Sequence, residues 1–245
     1  QHQDGHSHIL SSTIPNCLSY DPAFSYEVAV IIKDGIQKMY VDQENYFYYI
    51  TTTNENYQHP QMPEGSEDGI IKGMYKLIAS DKPVIRLLGS GSILRESIKA
   101  MDILKNYGIL AEVWSVTSFK LLRKNGMESE RHNQLNPGSE EKKSYIEECF
   151  DLSPMPVVAS TDYMRSYAEQ IRPYIKEEFT VLGTDGFGRS DSRETLREFF
   201  EIDANSIVRA SVYSLYKNNK LDKTVLDKIY EEIGVDSSKI NPWEA

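Results

Sequence analysis

Three observations predict an α/β fold with a mostly parallel sheet flanked by helices. Beyond residue 83, short runs of β-branched and apolar residues alternate with longer amphipathic segments, the pattern of strands joined by crossover helices. The joints carry Gly, Ser, Thr and Asp, which end strands and cap helices. The balance of 40% hydrophobic and 26% charged residues over 245 is that of a globular chain able to fill a core, as one large domain or two smaller ones.

The elements follow in order. SYDPAFSYEVAVIIKDGIQKMY predicts a helix capped by Asp21, with Pro22 at the first helical position, where its missing N–H costs nothing. Phe24, Val28, Ile31, Ile32, Ile36 and Met39 recur at helical spacing. Gly35 weakens the helix slightly and allows close packing. YFYYITTT (46–53) is aromatic and β-branched, which predicts a buried strand. Residues 54–82 are punctuated by Pro, Gly, Asn and Asp and predict a linker with one short helix, placing a domain boundary near 60. Strands are then expected at VIRLLG (84–89), AEVWSVTSF (111–119), PVVAS (156–160) and FTVLG (179–183). Helices are expected at 92–107, after 119, over YMRSYAEQIRPYI, over SRETLREFFEI, and around 204–218 and 224–233.

The net charge of −10, with no basic cluster, argues against nucleic acid and against an anionic membrane surface as partners. No apolar run reaches the ~20 residues of a membrane span. Cys17 and Cys149 stand apart, outside any ligand spacing, and read as free thiols of a reducing cytosol. The chain opens without Met and without a charged-then-apolar leader, so a piece of a larger protein is expected.

Two βα joints hold chemistry-bearing residues. LGSGSILRES (88–97) gives G-x-G with Leu94 where a dinucleotide fingerprint has its third Gly; a phosphate loop and an ordinary tight turn both remain open. GTDGFGRSDSRETL (183–196) carries Asp185, Arg189 and Ser190, candidates for an interface or an anion site. Asp191 and Glu194 form a capping-box-like pair there, and a plain capped loop is the alternative. In ASTDYMRSYAEQ, Thr161 or Asp162 is expected to cap a helix.

The opening QHQDGHSH holds three of the five histidines. Interruption by Asp4, Gly5 and Ser7 is unlike a purification tag. Gly5 weakens any helix that would present His2 and His6 together, and a zinc site lacks an obvious fourth ligand. No metal ligand set is therefore assigned. Imidazoles titrating near neutral pH suit proton transfer at a substrate better.

These stretches, QHQDGHSHILSSTIPNCLSYDPAFSYEVAVIIKDGIQKMY, YYITTTNENYQHPQMPEGSEDGI, LLGSGSILRE, ASTDYM and VLGTDGFGRSDSRETLREFF, closely resemble the C-terminal part of the homodimeric bacterial pyruvate dehydrogenases. Those enzymes are the thiamine-dependent, decarboxylating first component of the pyruvate dehydrogenase complex. More distantly, Asp4, Gly5 and His8 resemble a D-G-x-x-H loop of transketolases. The resemblance implies that residues 1–60 end a pyrimidine-binding α/β domain, 61–82 link, and 83–245 form a transketolase-like C-terminal domain. It implies thiamine diphosphate and Mg²⁺ as cofactors, with their main ligands outside this chain. It further implies pyruvate as substrate, a homodimer, a dihydrolipoyl acetyltransferase partner and a cytoplasmic location. By the same resemblance His2 and His8 are catalytic and His6 binds substrate, with Gln3 departing from the family's Glu. The thiamine ylide would attack the keto carbon, CO₂ would leave, and the acetyl group would pass to a lipoyl arm. A non-catalytic dimerisation or docking module, and the equivalent part of another 2-oxo acid dehydrogenase or transketolase-like enzyme, are the alternatives.

Overall fold

The computed structural model describes residues 4–150 and 154–245. The chain opens with α1 (Ser7–Ser12), β1 (Cys17–Tyr20) and α2 (Ser25–Ile36). A π-helical turn (Gln37–Val41) and β2 (Phe47–Ile50) follow. Strands β1 and β2 pair in parallel as a two-stranded sheet, Cys17 opposite Phe47 and Tyr20 opposite Ile50. Next come α3 (Glu67–Lys72), β3 (Met74–Ile78), β4 (Ile85–Gly89), α4 (Leu94–Asn106), β5 (Ala111–Val116), α5 (Phe119–Leu135) and α6 (Tyr145–Phe150). The chain closes with β6 (Val157–Ser160), α7 (Arg165–Glu169), β7 (Phe179–Leu182), α8 (Arg193–Phe199), α9 (Ala204–Lys217) and α10 (Lys223–Glu232).

The main sheet has the order β3-β5-β4-β6-β7 among the described residues. Strands β4 to β7 run parallel and β3 pairs antiparallel with β5. Side chains alternate across a strand, so neighbouring residues fill opposite cores. Leu87, Val113, Val158 and Leu182 join Leu94, Leu104, Ile207, Val208 and Val212 on one face. Leu88, Trp114, Val157, Ala159 and Val181 join Phe119, Leu122, Tyr167 and Ile171 on the other. Burial on both faces explains why these strands are mostly apolar, the buried Arg86 of β4 and Glu112 of β5 being paired with each other at 2.5 Å.

Several expectations are corrected. Residues 74–78, placed in the linker, form the antiparallel edge strand β3. Its short length and central Lys76 give it no clear alternation. The 46–53 run is a strand only over 47–50 and is half-exposed rather than buried, because it pairs with β1 alone. Asp21 does not cap α2. The cap is Phe24, and the Glu27 side chain, reaching back to the Phe24 N–H, takes over that role. Ile32 and Ile36, counted on the apolar face of α2, are exposed while Ile31 and Gly35 are buried. The α5 helix begins at Phe119, capped by Ser118. Ser192 rather than Asp191 caps α8, and α7 starts after Met164 rather than at Thr161 or Asp162.

The opening segment is bolted to the main sheet by buried polar contacts. The Asp21 N–H donates to the Thr117 carbonyl at 2.7 Å, and the Ser118 hydroxyl to the Ser19 carbonyl at 2.6 Å. The buried Lys120 ammonium donates to the carbonyls of Ser11, Ile14 and Cys17 at 2.8, 2.7 and 2.5 Å. Burial pulls its pKa down, yet three carbonyl oxygens replace its lost hydration.

Candidate functional site

In a parallel sheet, ligands bind beyond the carboxyl ends of the strands where the strand order reverses. Here β5 lies to one side of β4 and β6 to the other, so the reversal falls between β4 and β6. The loops after these strands meet there, and the Ser92 hydroxyl reaches the Asp162 carboxylate at 3.2 Å. A cleft of about 490 Å³ opens at this point. Its walls come from both parts of the chain. Asp4, Asp21 and Thr51 belong to the opening segment; Ser92, Asp162, Tyr163, Arg189, Arg193 and Arg197 belong to the rest.

One end of the cleft is acidic. Asp21 is buried and accepts hydrogen bonds from the Thr51 hydroxyl and the Ser90 hydroxyl, each at 2.7 Å. Burial dominates these bonds and pushes its pKa up to about 6. Asp162 is also raised, by its crowded surroundings and by the charge of Asp21. Asp4 instead turns back on its own loop and takes the N–H groups of His6 at 3.1 Å and Ser7 at 2.9 Å. Together with the Ser7 hydroxyl, these bonds outweigh burial and hold it below its usual value. The other end is basic. Arg193 donates to Asn54 at 2.7 Å, and Arg197 to Glu96 at 3.1 Å. Arg95, Arg193 and Arg197 converge on Glu55, whose pKa is lowered despite burial. The arginine cluster thereby pins the loop after β2 over α4 and α8.

The predicted site residues are dispersed. His2 lies outside the described residues. His6 is exposed and is not among the residues lining the cleft, though its N–H donates to the cleft residue Asp4. His8 does not line the cleft. It is fully buried, stacked on Tyr167 at 5.0 Å and edge-on to Tyr163 and Tyr49. Burial drives its pKa down to about 4. A ring so enclosed favours its neutral form, and in the described residues His8 sits behind the cleft wall instead of in it. Asp185 faces inward, its carboxylate 3.3 Å from Arg165 Nε, and is committed to that pair. Arg189 lines the cleft with its guanidinium 5.2 Å from the centre of the Phe199 ring, and Ser190 is exposed next to it.

The residues that sequence reasoning passed over are Asp21, Thr51, Glu55, Asp162 and Arg197. The sequence pattern offers Asp21 and Asp162 only as caps and Thr51 only as a strand former. Their common signal is position: all but Arg197 follow closely on a strand's carboxyl end.

The phosphate-loop reading of LGSGS fails on geometry. Gly91 adopts a positive φ, and a Cβ there would meet the Asp21 carboxylate. Its N–H already donates to the Asp21 carbonyl at 3.1 Å. The protein's own side chain fills the cradle. The LGSGS turn is therefore not free to cradle a diphosphate. No group of His, Cys, Asp and Glu among the described residues is arranged to hold a metal ion. No helix among them is long and apolar enough to cross a membrane.

Comparison with known proteins gives the chain's relatives. Residues 1–60 match the pyruvate dehydrogenase E1 component middle domain, and residues 73–203 match the transketolase-like C-terminal domain. The chain is 52% identical to the pyruvate dehydrogenase E1 component of Pseudomonas aeruginosa, over 100% of this chain and 28% of that protein. It is 53% identical to that of Escherichia coli, over 99% and 28%. The chain thus spans 28% of the length of these curated relatives. Among solved structures, a transketolase from Pichia stipitis superposes with a TM-score of 0.64 at 19% identity, over 90% of this chain and 28% of that one. A split-gene transketolase, described as an inactive β4 tetramer, superposes with a TM-score of 0.56 at 14% identity, over 88% and 62%. With more than half its length matched, the chain belongs to the transketolase-like C-terminal domain family, and its homology to the pyruvate dehydrogenase E1 component runs from end to end.

Proposed function

We propose that this chain is the C-terminal part of a pyruvate dehydrogenase. The longer protein decarboxylates pyruvate and passes the acetyl group to the lipoyl group of a dihydrolipoyl acetyltransferase. It works as a cytoplasmic homodimer with thiamine diphosphate and Mg²⁺. The observation that carries this reading is the cleft at the sheet's reversal point, walled jointly by the stretches matching the middle and C-terminal domains. By resemblance the main ligands of the diphosphate and the metal lie outside this chain, so the contribution proposed for these residues is the wall. The carboxyls of Asp21 and Asp162 offer proton-holding groups, and the arginine rim favours an anionic reactant. By resemblance we assign His2 a substrate-facing role and His6 a substrate-binding one, and we assign Arg189 with Ser190 to an anion or partner contact.

The test is CO₂ release from pyruvate with added thiamine diphosphate and Mg²⁺. The expected result is turnover by the full-length protein and none by these 245 residues alone. A full-length protein that transfers ketol groups between sugars while leaving pyruvate untouched would reassign it to transketolase chemistry.

One observation favours a docking role for the isolated chain. Ile32, Ile36, Tyr40, Val41 and Phe47 are exposed on one stretch of the opening segment, and a two-stranded sheet is rarely stable unaided. Such a surface implies a covering partner, which we assign to the preceding part of the middle domain. Replacing Ile32 and Ile36 with Lys is expected to reduce self-association of the 245-residue chain in sedimentation. In the full-length protein the same change should cost several kcal/mol of stability, as burying two unpaired charges does. Tolerance of both charges there would show that the face stays open.

A further inference from the structure

One hydroxyl joins the cleft to the buried histidine behind it. Thr51 Oγ1 lies 2.7 Å from Asp21 Oδ1 and 2.9 Å from His8 Nε2. Tyr163 also hydrogen-bonds Thr51. A threonine hydroxyl has one proton to give and two lone pairs to receive. An ionised carboxylate only accepts, so the Thr51 proton goes to Asp21. The ring nitrogen facing Thr51 must then carry its own hydrogen. His8 is therefore the neutral Nε2–H tautomer, and its buried Nδ1, which has no hydrogen-bond partner, is the bare lone pair. Protonating Asp21 reverses the direction of the chain. The carboxyl can now donate to Thr51, whose proton turns to His8 Nε2. The ring hydrogen would have to move to Nδ1, where nothing accepts it.

We propose that Thr51 is a positioning residue that ties the charge of the cleft carboxylate Asp21 to the tautomer and seating of His8. Because His8 anchors α1, Thr51 thereby fixes the loop bearing Asp4 and His6 against the cleft. The groups facing Asp21 define what else acts on it. They are the carboxylates of Asp4 and Asp162, the phenols of Tyr163 and Tyr167, the Ser90 hydroxyl, and His8 through Thr51. Arg197 acts on Asp162 at one remove. None of these can replace a hydroxyl that contacts both Asp21 and His8.

The effect on turnover rests on the function proposed above; the tautomer does not, so the experiment reads both. The first measurement is the ¹⁵N shift of the His8 ring nitrogens in this chain, labelled on histidine. The parent and Thr51→Ser should show Nε2 protonated and Nδ1 bare at pH 7. Thr51→Val should lose that bias. Asp21→Asn, whose amide can donate to Thr51, should shift population toward Nδ1–H, and it covers the case in which Thr51→Val fails to fold. The second measurement is the pH dependence of kcat/KM for pyruvate in the full-length protein. Removing a donor to Asp21 should move the acidic limb to higher pH, by roughly half a unit for Thr51→Val, and Thr51→Ser should restore it. Retention of Nε2–H in both Thr51→Val and Asp21→Asn would overturn the proposal whatever the activity. A parent enzyme that does not turn over pyruvate would refute the assigned function while leaving the tautomer result to decide Thr51.

Discussion

Replacing Glu27 with alanine is expected to lower the unfolding free energy of the chain by about 4 kcal/mol, the scale set when several buried donors lose their acceptor at ~1–3 kcal/mol each. Glu27 is fully buried, and each of its oxygens takes two bonds. Oε2 accepts from the N–H groups of Ala23 and Phe24 at 2.5 and 2.9 Å. Oε1 accepts from the hydroxyls of Tyr75 and Ser115 at 2.7 and 2.6 Å. The first pair starts α2; the second belongs to β3 and β5 of the main sheet. One carboxyl therefore closes the helix entrance and seats it on the sheet. Burial raises its pKa even against these four donors. Glu27→Gln keeps the shape but points an NH₂ at two of the donors, so an intermediate loss is expected. Urea midpoints of the two variants decide the matter. A loss below about 1 kcal/mol for the alanine variant, the value of one ordinary hydrogen bond, would mean that the junction is held elsewhere.

Asp21 and His8 are expected to pull the pH dependence of stability in opposite directions. Asp21 has its folded pKa raised, from 3.8 to about 6. Its relative contribution is full below pH 4 and is lost as pH climbs through 6. His8 has its folded pKa lowered, from 6.5 to about 4. Its contribution is full above pH 6.5 and is lost as pH falls through 4. At about 1.4 kcal/mol per unit, each amounts to about 3 kcal/mol over nearly the same window. The parent should show little slope from this pair. The stability difference between parent and His8→Gln should widen as pH rises from 4 to 6.5. The difference between parent and Asp21→Asn should narrow from 4 to 6. Urea titrations at half-unit pH steps provide the check, and two differences that stay flat across the window would refute the assignment.

The parallel core was legible because its strands are buried on both faces, so that 84–89, 156–160 and 179–183 stand out as short, mostly apolar runs between amphipathic helices, with Arg86 the one charge among them. The edge strand β3 was not, because an edge strand with Lys76 facing solvent and Gly73 before it looks like a linker. The cleft was legible only in part. The histidine-rich opening drew attention to residues 2, 6 and 8. The structure buries His8, leaves His6 exposed outside the cleft lining and gives the cleft wall to Asp21, Thr51 and Asp162. Those three carry no motif in the chain. Asp at a helix entrance and Thr at a strand end are ordinary local choices. Only the sheet order, which brings residues 21, 51, 92 and 162 to one point, shows that they act together. Glu55 illustrates the same limit, since the convergence on it of Arg95 from α4 with Arg193 and Arg197 from α8, far along the chain, cannot be foreseen from spacing.

The cleft draws on residues from Asp4 to Ile202, and this has a consequence for how it comes into being on the ribosome. Synthesis runs from the first residue onward, and domains tend to fold as units while it proceeds. A nascent chain that has emerged as far as β7 already holds the five described strands of the main sheet and the acidic end. It lacks the helix bearing Arg193 and Arg197, so Glu55 has only Arg95 to meet. The loop after β2 is thus released early and fastened late, and the pocket's two electrical poles are born at different times.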